Sequence, residues 1–240
     1  MNRSATVQDY LKAIFAIGRD DAAAGTNAIA ARLAVSAGSV TGMLKRLSGE
    51  GLVDYEPYRG VRLTGEGRAE AVRLVRRHRL IELFLVRVLG LPWDRVHEEA
   101  ERLEHAATDE LVDRMEELLG HPTVDPHGAP IPEVGRPFME PAWPRLSEAP
   151  AGVRLVLRQV SDEDPEVLRY LERLGLMPGK ELRVLGRAPM RGPLRVEVDG
   201  AVEHIGVEMA NELRVEAGGA VTPERMRRAG RSGREEKAHA

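Results

Sequence analysis

Residues 97 to 105 read His-Glu-Glu-Ala-Glu-Arg-Leu-Glu-His, which sets His97, Glu101, Glu104 and His105 at offsets of zero, four, seven and eight. On an α-helix those offsets share one face, so two imidazoles and two carboxylates point the same way. That is a stripe of divalent-metal ligands. His78 and Glu82 form a second pair, one turn apart, in the segment before it. The chain has no cysteine, so any metal must sit on oxygen and nitrogen. Disulfides, thiolate zinc sites and cysteine nucleophiles are excluded with it. The competing reading is a solvated acidic helix whose His and Glu neighbours are ordinary surface pairs. The stripe gains weight only from the elements around it.

Those elements begin with an amphipathic helix from Thr6 to Ile17, with Tyr10, Leu11, Ile14, Phe15 and Ile17 apolar and Gly18 as its stop. A second helix is predicted from an Asn27 cap to Leu33, then a turn at Val35-Ser-Ala-Gly, then a third helix from Ser39 to Ser48. Helix, turn and helix suggest a DNA-binding motif. Leu52-Val-Asp-Tyr-Glu and Val61-Arg-Leu-Thr read as two short strands around Pro57-Tyr-Arg-Gly60, a wing. A long helix follows from Thr64-Gly-Glu-Gly to Leu89, and Asp94 is expected to cap the acidic helix, with a break near Thr108. Residues 121 to 150 hold 8 of the 15 prolines, which predicts a loop-rich crossing. Beyond it, runs at 153–160, 181–185, 194–198, 201–205 and 213–215 suggest a small five-stranded barrel, with Asp199-Gly200 as a hairpin turn. The predicted fold is α+β. Its parts are a winged helix-turn-helix (1–73), an all-α dimerisation and metal-binding domain (74–145), an SH3-like β domain (146–220) and a disordered basic tail (221–240).

At 240 residues the chain has room for two or three cores. Its net charge of −3 hides an uneven distribution. Residues 1–79 carry 13 Lys or Arg against 8 Asp or Glu, and residues 94–117 carry 3 against 10. A cationic end suits phosphate and an anionic centre suits divalent cations. No run approaches the roughly 18 apolar residues of a spanning helix, and the N-terminus lacks a signal-peptide core. A cytoplasmic protein without membrane partners is expected.

Six fragments in order resemble the diphtheria-toxin-repressor family of metalloregulators, in its three-domain, manganese-responsive form. They are Asp9-Tyr-Leu; Val35-Ser to Leu47; Glu56-Pro-Tyr-Arg-Gly-Val-Arg-Leu-Thr64; His78-Arg-Leu-Ile-Glu82; Val96-His to His105; and His127-Gly-Ala-Pro-Ile-Pro132. Leu174-Gly-Leu-Met-Pro-Gly179 is similar to the SH3-like module of the long members.

The resemblance implies a primary metal site of Asp9, Glu101, Glu104 and His105, joining the first helix to the acidic one. Three carboxylates and an imidazole suit Mn²⁺, with Fe²⁺ as the alternative. The iron-responsive branch has Met and Cys where this chain has Asp9 and Glu101, which points to manganese. An ancillary site of His78, Glu82 and His97 is implied as well, with Asp125, His127 and Asp164 (or Glu163) as possible completing ligands. Short two-domain members carry a carboxylate where this chain has Lys12, which favours two separated sites here over a bridged cluster.

Helix-turn-helix logic assigns DNA contacts to Ser36, Ser39, Thr41, Lys45 and Arg46, with Tyr58 and Arg59 at the wing tip. The reading is a homodimer built on residues 74 to 119 that binds a pseudo-palindromic operator as a regulator of metal-homeostasis genes when metal is present. No enzymatic activity is expected. A metal-dependent hydrolase would need an open coordination position, a base and a pocket. The chain has neither His-Glu-x-x-His nor paired Glu-x-x-His motifs. A winged helix with no metal response is the other rival.

Overall fold

Val7, Tyr10, Leu11, Ile14 and Phe15 line the buried side of α1 (Ala5–Ile17), spaced as an amphipathic helix requires. They meet α2 (Thr26–Arg32) and α3 (Ala37–Gly49), where Ile29, Val40, Leu44 and Leu47 are fully buried. The computed structural model describes residues 3–18, 22–161, 164–190 and 192–218. The basic tail and Glu163 lie outside them. Contacts divide the chain into two units, Met1–Ala142 and Trp143–Ala240.

In the first unit, Ser36 caps α3 by accepting a hydrogen bond from Ser39 N. The helix therefore starts two residues before the expected Ser39. Gly25, not Asn27, stands at the N-cap of α2. Strands β1 (Val53–Glu56) and β2 (Gly60–Leu63) pair antiparallel from Val53↔Leu63 to Glu56↔Gly60, forming the wing. Tyr58 at its tip adopts φ 66° and is fully exposed. Thr64 caps the long helix α4 (Gly65–Arg87) by accepting from Gly67 N. A Cβ on Gly67 would lie 1.9 Å from the Leu52 carbonyl oxygen, so only glycine lets α4 start this close to the wing. Helix α4 is continuous through residue 73.

The acidic segment forms α5 (Val96–Glu104) and α6 (Asp109–Leu119), separated at Thr108, which caps α6 by accepting from Leu111 N. One expectation is corrected here. Asp94 is buried one residue before the N-cap position, which a turn closed by Arg95 N donating to Pro92 O gives to Arg95. The crossing loop folds back on this unit. Phe138 stacks against Phe15 with centroids 6.3 Å apart, and Arg79 donates to Pro130 O at 2.6 Å and to Glu140 at 2.5 Å.

The second unit is a five-stranded antiparallel sheet in the order β6-β5-β4-β3-β7: β3 (Arg154–Gln159), β4 (Glu181–Arg187), β5 (Leu194–Val198), β6 (Ala201–Ile205) and β7 (Arg214–Ala217). Asp199 (φ 51°) and Gly200 (φ 82°) turn β5 into β6, as an Asp-Gly hairpin requires. Two helices join the sheet that the strand-like texture of the sequence concealed. They are α7 (Pro165–Arg173), which buries Leu168 and Leu171, and the six-residue α8 (Val207–Glu212). Among the described residues no helix is long and apolar enough to cross a membrane.

Candidate metal centre

Gln8, Asp9 and Lys12 leave neighbouring turns of α1 and meet the end of α5 across about ninety residues of sequence. Helix α4 brings His78 and Glu82 from an adjoining side. Among the described residues, three groups each bring one ligand atom per residue within 4.8 Å of the others: Asp9, Glu101, Glu104 and His105; His78, His97 and Glu101; and Glu82, Asp125 and His127. All four residues of the expected primary set stand together. The expected ancillary residues fall into two adjoining groups, with Glu101 shared between the first and second.

Hydrogen bonds join the groups. His78 Nδ1 lies 2.7 Å from Glu104 Oε2, and its Nε2 lies 3.1 Å from Glu82 Oε1 and 3.2 Å from His97 Nδ1. His97 Nδ1 is 3.2 Å from the same Glu82 oxygen. The Lys12 ammonium donates to Glu101 Oε1 at 2.6 Å and Glu104 Oε1 at 2.8 Å, and stands 3.4 Å from His78 Nδ1. His105 places Nδ1 2.9 Å from Gln8 Oε1 and Nε2 3.2 Å from Asp9 Oδ1. In the crossing loop, Asp125 Oδ1 accepts from His127 N and Ala129 N, which fixes His127 with Nε2 2.9 Å from Trp93 O and Nδ1 3.8 Å from Glu82 Oε2.

Burial opposes ionisation throughout this cluster; it prevails at Asp9, and charge pairing prevails at Glu104, Glu82, His78 and Lys12. Asp9 is raised above the usual carboxylate range, by burial foremost; His105 and Lys12 pull it down, and Glu101 and Glu104 push it up. Burial would raise Glu104, yet His78 and Lys12 hold it low. Burial would raise Glu82, yet His78 holds it well below its ordinary value, with the His97 contact and the nearby His127 ring acting in the same direction. Burial would depress His78, but Glu82 and the bonds to Glu104 and Glu82 lift it to about 9. Lys12 is raised despite burial by Glu104 and Glu101.

A divalent ion fits this arrangement. Glu82 Oε2 is buried and accepts no hydrogen bond, and Asp9 Oδ1 is buried beside His105 without bonding geometry. Such an oxygen ordinarily costs about 1–3 kcal/mol, which coordination would relieve. The donors are carboxylate and imidazole only, the set that suits Mn²⁺ and Fe²⁺.

Sequence reasoning missed Gln8, whose buried amide orients His105, and the Trp93 carbonyl that holds His127. Gln8 stands next to Asp9, but only the folded contact reveals its part. Asp164 belongs to the second unit. There its Oδ1 accepts from Glu166 N and Val167 N as the cap of α7, and all the groups named above come from the first unit.

On the DNA-binding side, Ser36, Ser39, Lys45, Arg46, Tyr58 and Arg59 are exposed and Thr41 is half-buried. Ser36 Oγ and Ser39 Oγ are 2.9 Å apart, and Thr41 Oγ1 donates to Ala37 O. Arg46 pairs with Glu50 at 2.9 Å and Arg59 with Glu56 at 3.2 Å, both in solvent. Such pairs are weak and exchange easily for phosphate.

A helix-turn-helix with a wing, joined to a helical unit rich in metal ligands and a small β unit, defines a metal-dependent DNA-binding regulator. Residues 3–61 match the family described as iron dependent repressor, N-terminal DNA binding domain. Residues 64–133 match its metal binding and dimerisation domain, and 145–217 match the FeoA domain. The chain belongs to the diphtheria-toxin-repressor family of metal-dependent transcriptional regulators. It is 34% identical over 225 residues to the iron-dependent repressor IdeR of Mycobacterium tuberculosis, covering 88% of this chain and 96% of that one. With the diphtheria toxin repressor of Corynebacterium efficiens it shares 31% over 221 residues, 88% and 95% of the two chains. Among solved structures it is similar to a manganese-dependent transcriptional repressor in complex with manganese, at TM-score 0.82 and 39% identity, covering 88% and 100%. The matched family models and relatives are those of DNA-binding transcriptional repressors.

Proposed function

We propose that this chain is a Mn²⁺-dependent transcriptional repressor that binds double-stranded DNA as a homodimer and controls metal-homeostasis genes in the cytoplasm. The observation that carries the reading is the meeting of Asp9 on α1 with Glu101, Glu104 and His105 at the end of α5. An ion held there would tie the winged helix (residues 1–73) to the helical domain (74–145) and fix how the head is presented. One state of the head then binds DNA better, and ion binding shifts the population towards it. A second ion would sit separately, on Glu82, Asp125 and His127 with His97 and His78 beside them.

Leu103, Leu111 and Leu118 on the acidic helices, with Val88 and Leu89 at the end of α4, are exposed apolar residues suited to a dimer face. Two heads from such a dimer would read successive major grooves about 34 Å apart on a pseudo-palindromic site. Ser36, Ser39 and Thr41 face base edges or phosphates, Lys45 and Arg46 neutralise phosphates, and Tyr58 and Arg59 extend the contact from the wing.

The sulfur-free donor set favours manganese. The iron-named relatives supply the second reading, Fe²⁺ at the same residues. The test is a DNA-binding titration with Mn²⁺, with Fe²⁺ under anaerobic conditions and with neither, on wild type and Asp9→Ala. Metal should tighten wild-type binding between about five- and 150-fold, the span of ordinary allosteric coupling, and leave Asp9→Ala unmoved. Equal affinity with and without metal in the wild type would overturn the proposal.

A further inference from the structure

The Lys12 ammonium occupies ground that a divalent ion needs. It lies 2.6 Å from Glu101 Oε1 and 2.8 Å from Glu104 Oε1, and only 16% of the side chain is exposed. Glu104 Oε2 is taken by His78 Nδ1 at 2.7 Å, so Oε1 is the oxygen left to face Asp9 and His105; it lies 4.0 Å from His105 Nε2. An ion bound by Asp9, Glu101, Glu104 and His105 therefore draws on carboxylates that the ammonium already holds.

We propose that Lys12 is a tethered competitor for the first metal centre: divalent-ion binding displaces its ammonium from Glu101 and Glu104, and the residue thereby sets the ion concentration at which the regulator switches. This rests on the metal-binding role proposed above and adds a control on its threshold. Charge decides the competition. The ammonium and the ion compete for the same carboxylates, and where both remain they repel across a few ångströms in a partly desolvated site. Without the ammonium, Glu101, Glu104 and Asp9 repel one another until an ion arrives. Metal binding then relieves more unfavourable energy than in the wild type.

The alternative, that Lys12 merely pins α1 to α5 and so shapes the site, makes the opposite forecast. A positioning residue loosens the site when removed and weakens metal binding. The sign of one affinity change separates the two.

The experiment is isothermal titration of the full-length chain with Mn²⁺ alone, no DNA present, on wild type, Lys12→Gln and Lys12→Arg, with thermal melts of each variant with and without Mn²⁺. The proposal expects Lys12→Gln to bind its first ion about tenfold more tightly or better. It also expects a lower metal-free melting temperature for Lys12→Gln, a larger rise on adding Mn²⁺, and near wild-type behaviour for Lys12→Arg. Unchanged or weaker Mn²⁺ binding in Lys12→Gln overturns the proposal while leaving the metal-responsive reading intact. Absence of Mn²⁺ binding in every variant overturns both. Should Lys12→Gln fail to fold without metal, Lys12→Met and the melts of Lys12→Arg decide in the same terms.

Discussion

His78 Nδ1 sits 2.7 Å from Glu104 Oε2, so a single hydrogen bond links the group that ties α1 to α5 with the groups built on α4. An ion in one centre would change the partner available to the other. The first consequence concerns protons.

His78 stands at about 9 in the folded chain, against an ordinary 6.5, because Glu82 and the bonds to Glu104 and Glu82 prevail over burial. A folded value above the unfolded one stabilises the protein fully below about pH 6.5, and that contribution fades as pH rises through about 9. The metal-free protein should therefore melt at a lower temperature near pH 9.5 than near pH 6.5, and His78→Gln should flatten the difference. A nitrogen that binds metal must first lose its proton, so Mn²⁺ binding near neutrality should release protons. Calorimetry in buffers of different ionisation enthalpy would count them.

Gln8 orients His105 through the 2.9 Å contact from its Oε1 to His105 Nδ1. Partners of this kind typically account for 10- to 100-fold in metal affinity, so Gln8→Leu should weaken Mn²⁺ binding by about that factor with the fold retained. Gln8→Glu keeps an acceptor and should lose less. Equal affinities across the three proteins would contradict the role.

Lys45 is exposed on α3, the helix assigned to the major groove. Its loss should weaken DNA binding on all sequences alike and lower the slope of log affinity against log salt by about one. Ser36→Ala should reduce stability by about 0.5–2 kcal/mol through loss of the α3 cap, read by denaturant unfolding.

Gly67 packs where a Cβ would strike the Leu52 carbonyl, whereas Gly65, two residues earlier, has open space around it. Gly67→Ala should lower stability by about 1–3 kcal/mol or more, the range for an added group with no room. Gly65→Ala should leave it near or above wild type. Thermal melts of the pair isolate the packing at the wing-to-α4 junction.

The stripe on α5 was legible because helical periodicity is local: His97, Glu101, Glu104 and His105 need only one helix to align. The wing was legible for a similar reason, since Pro57 to Gly60 separates two β-like runs. Asp9 could be paired with that stripe only through family resemblance, because no local rule links residues more than ninety apart. Lys12 was visible as a departure from the short manganese regulators, but its contacts with Glu101, Glu104 and His78 belong to tertiary structure. Helix α7 was hidden because it is one short element among strand-like runs, and Asp94 was misplaced because the Pro92–Arg95 turn delays α5. Asp125 shows both limits at once: its proline-rich loop reads as a crossing, while the backbone bonds that aim His127 at Glu82 emerge only on folding.

Whether one divalent ion joins α1 to α5 is visible in crystals of the full-length chain grown with Mn²⁺. Anomalous scattering collected on both sides of the manganese edge should give a peak bounded by Asp9, Glu101, Glu104 and His105, lost in Asp9→Ala crystals. Manganese peaks elsewhere with none among those four residues would rule out an ion joining the two helices.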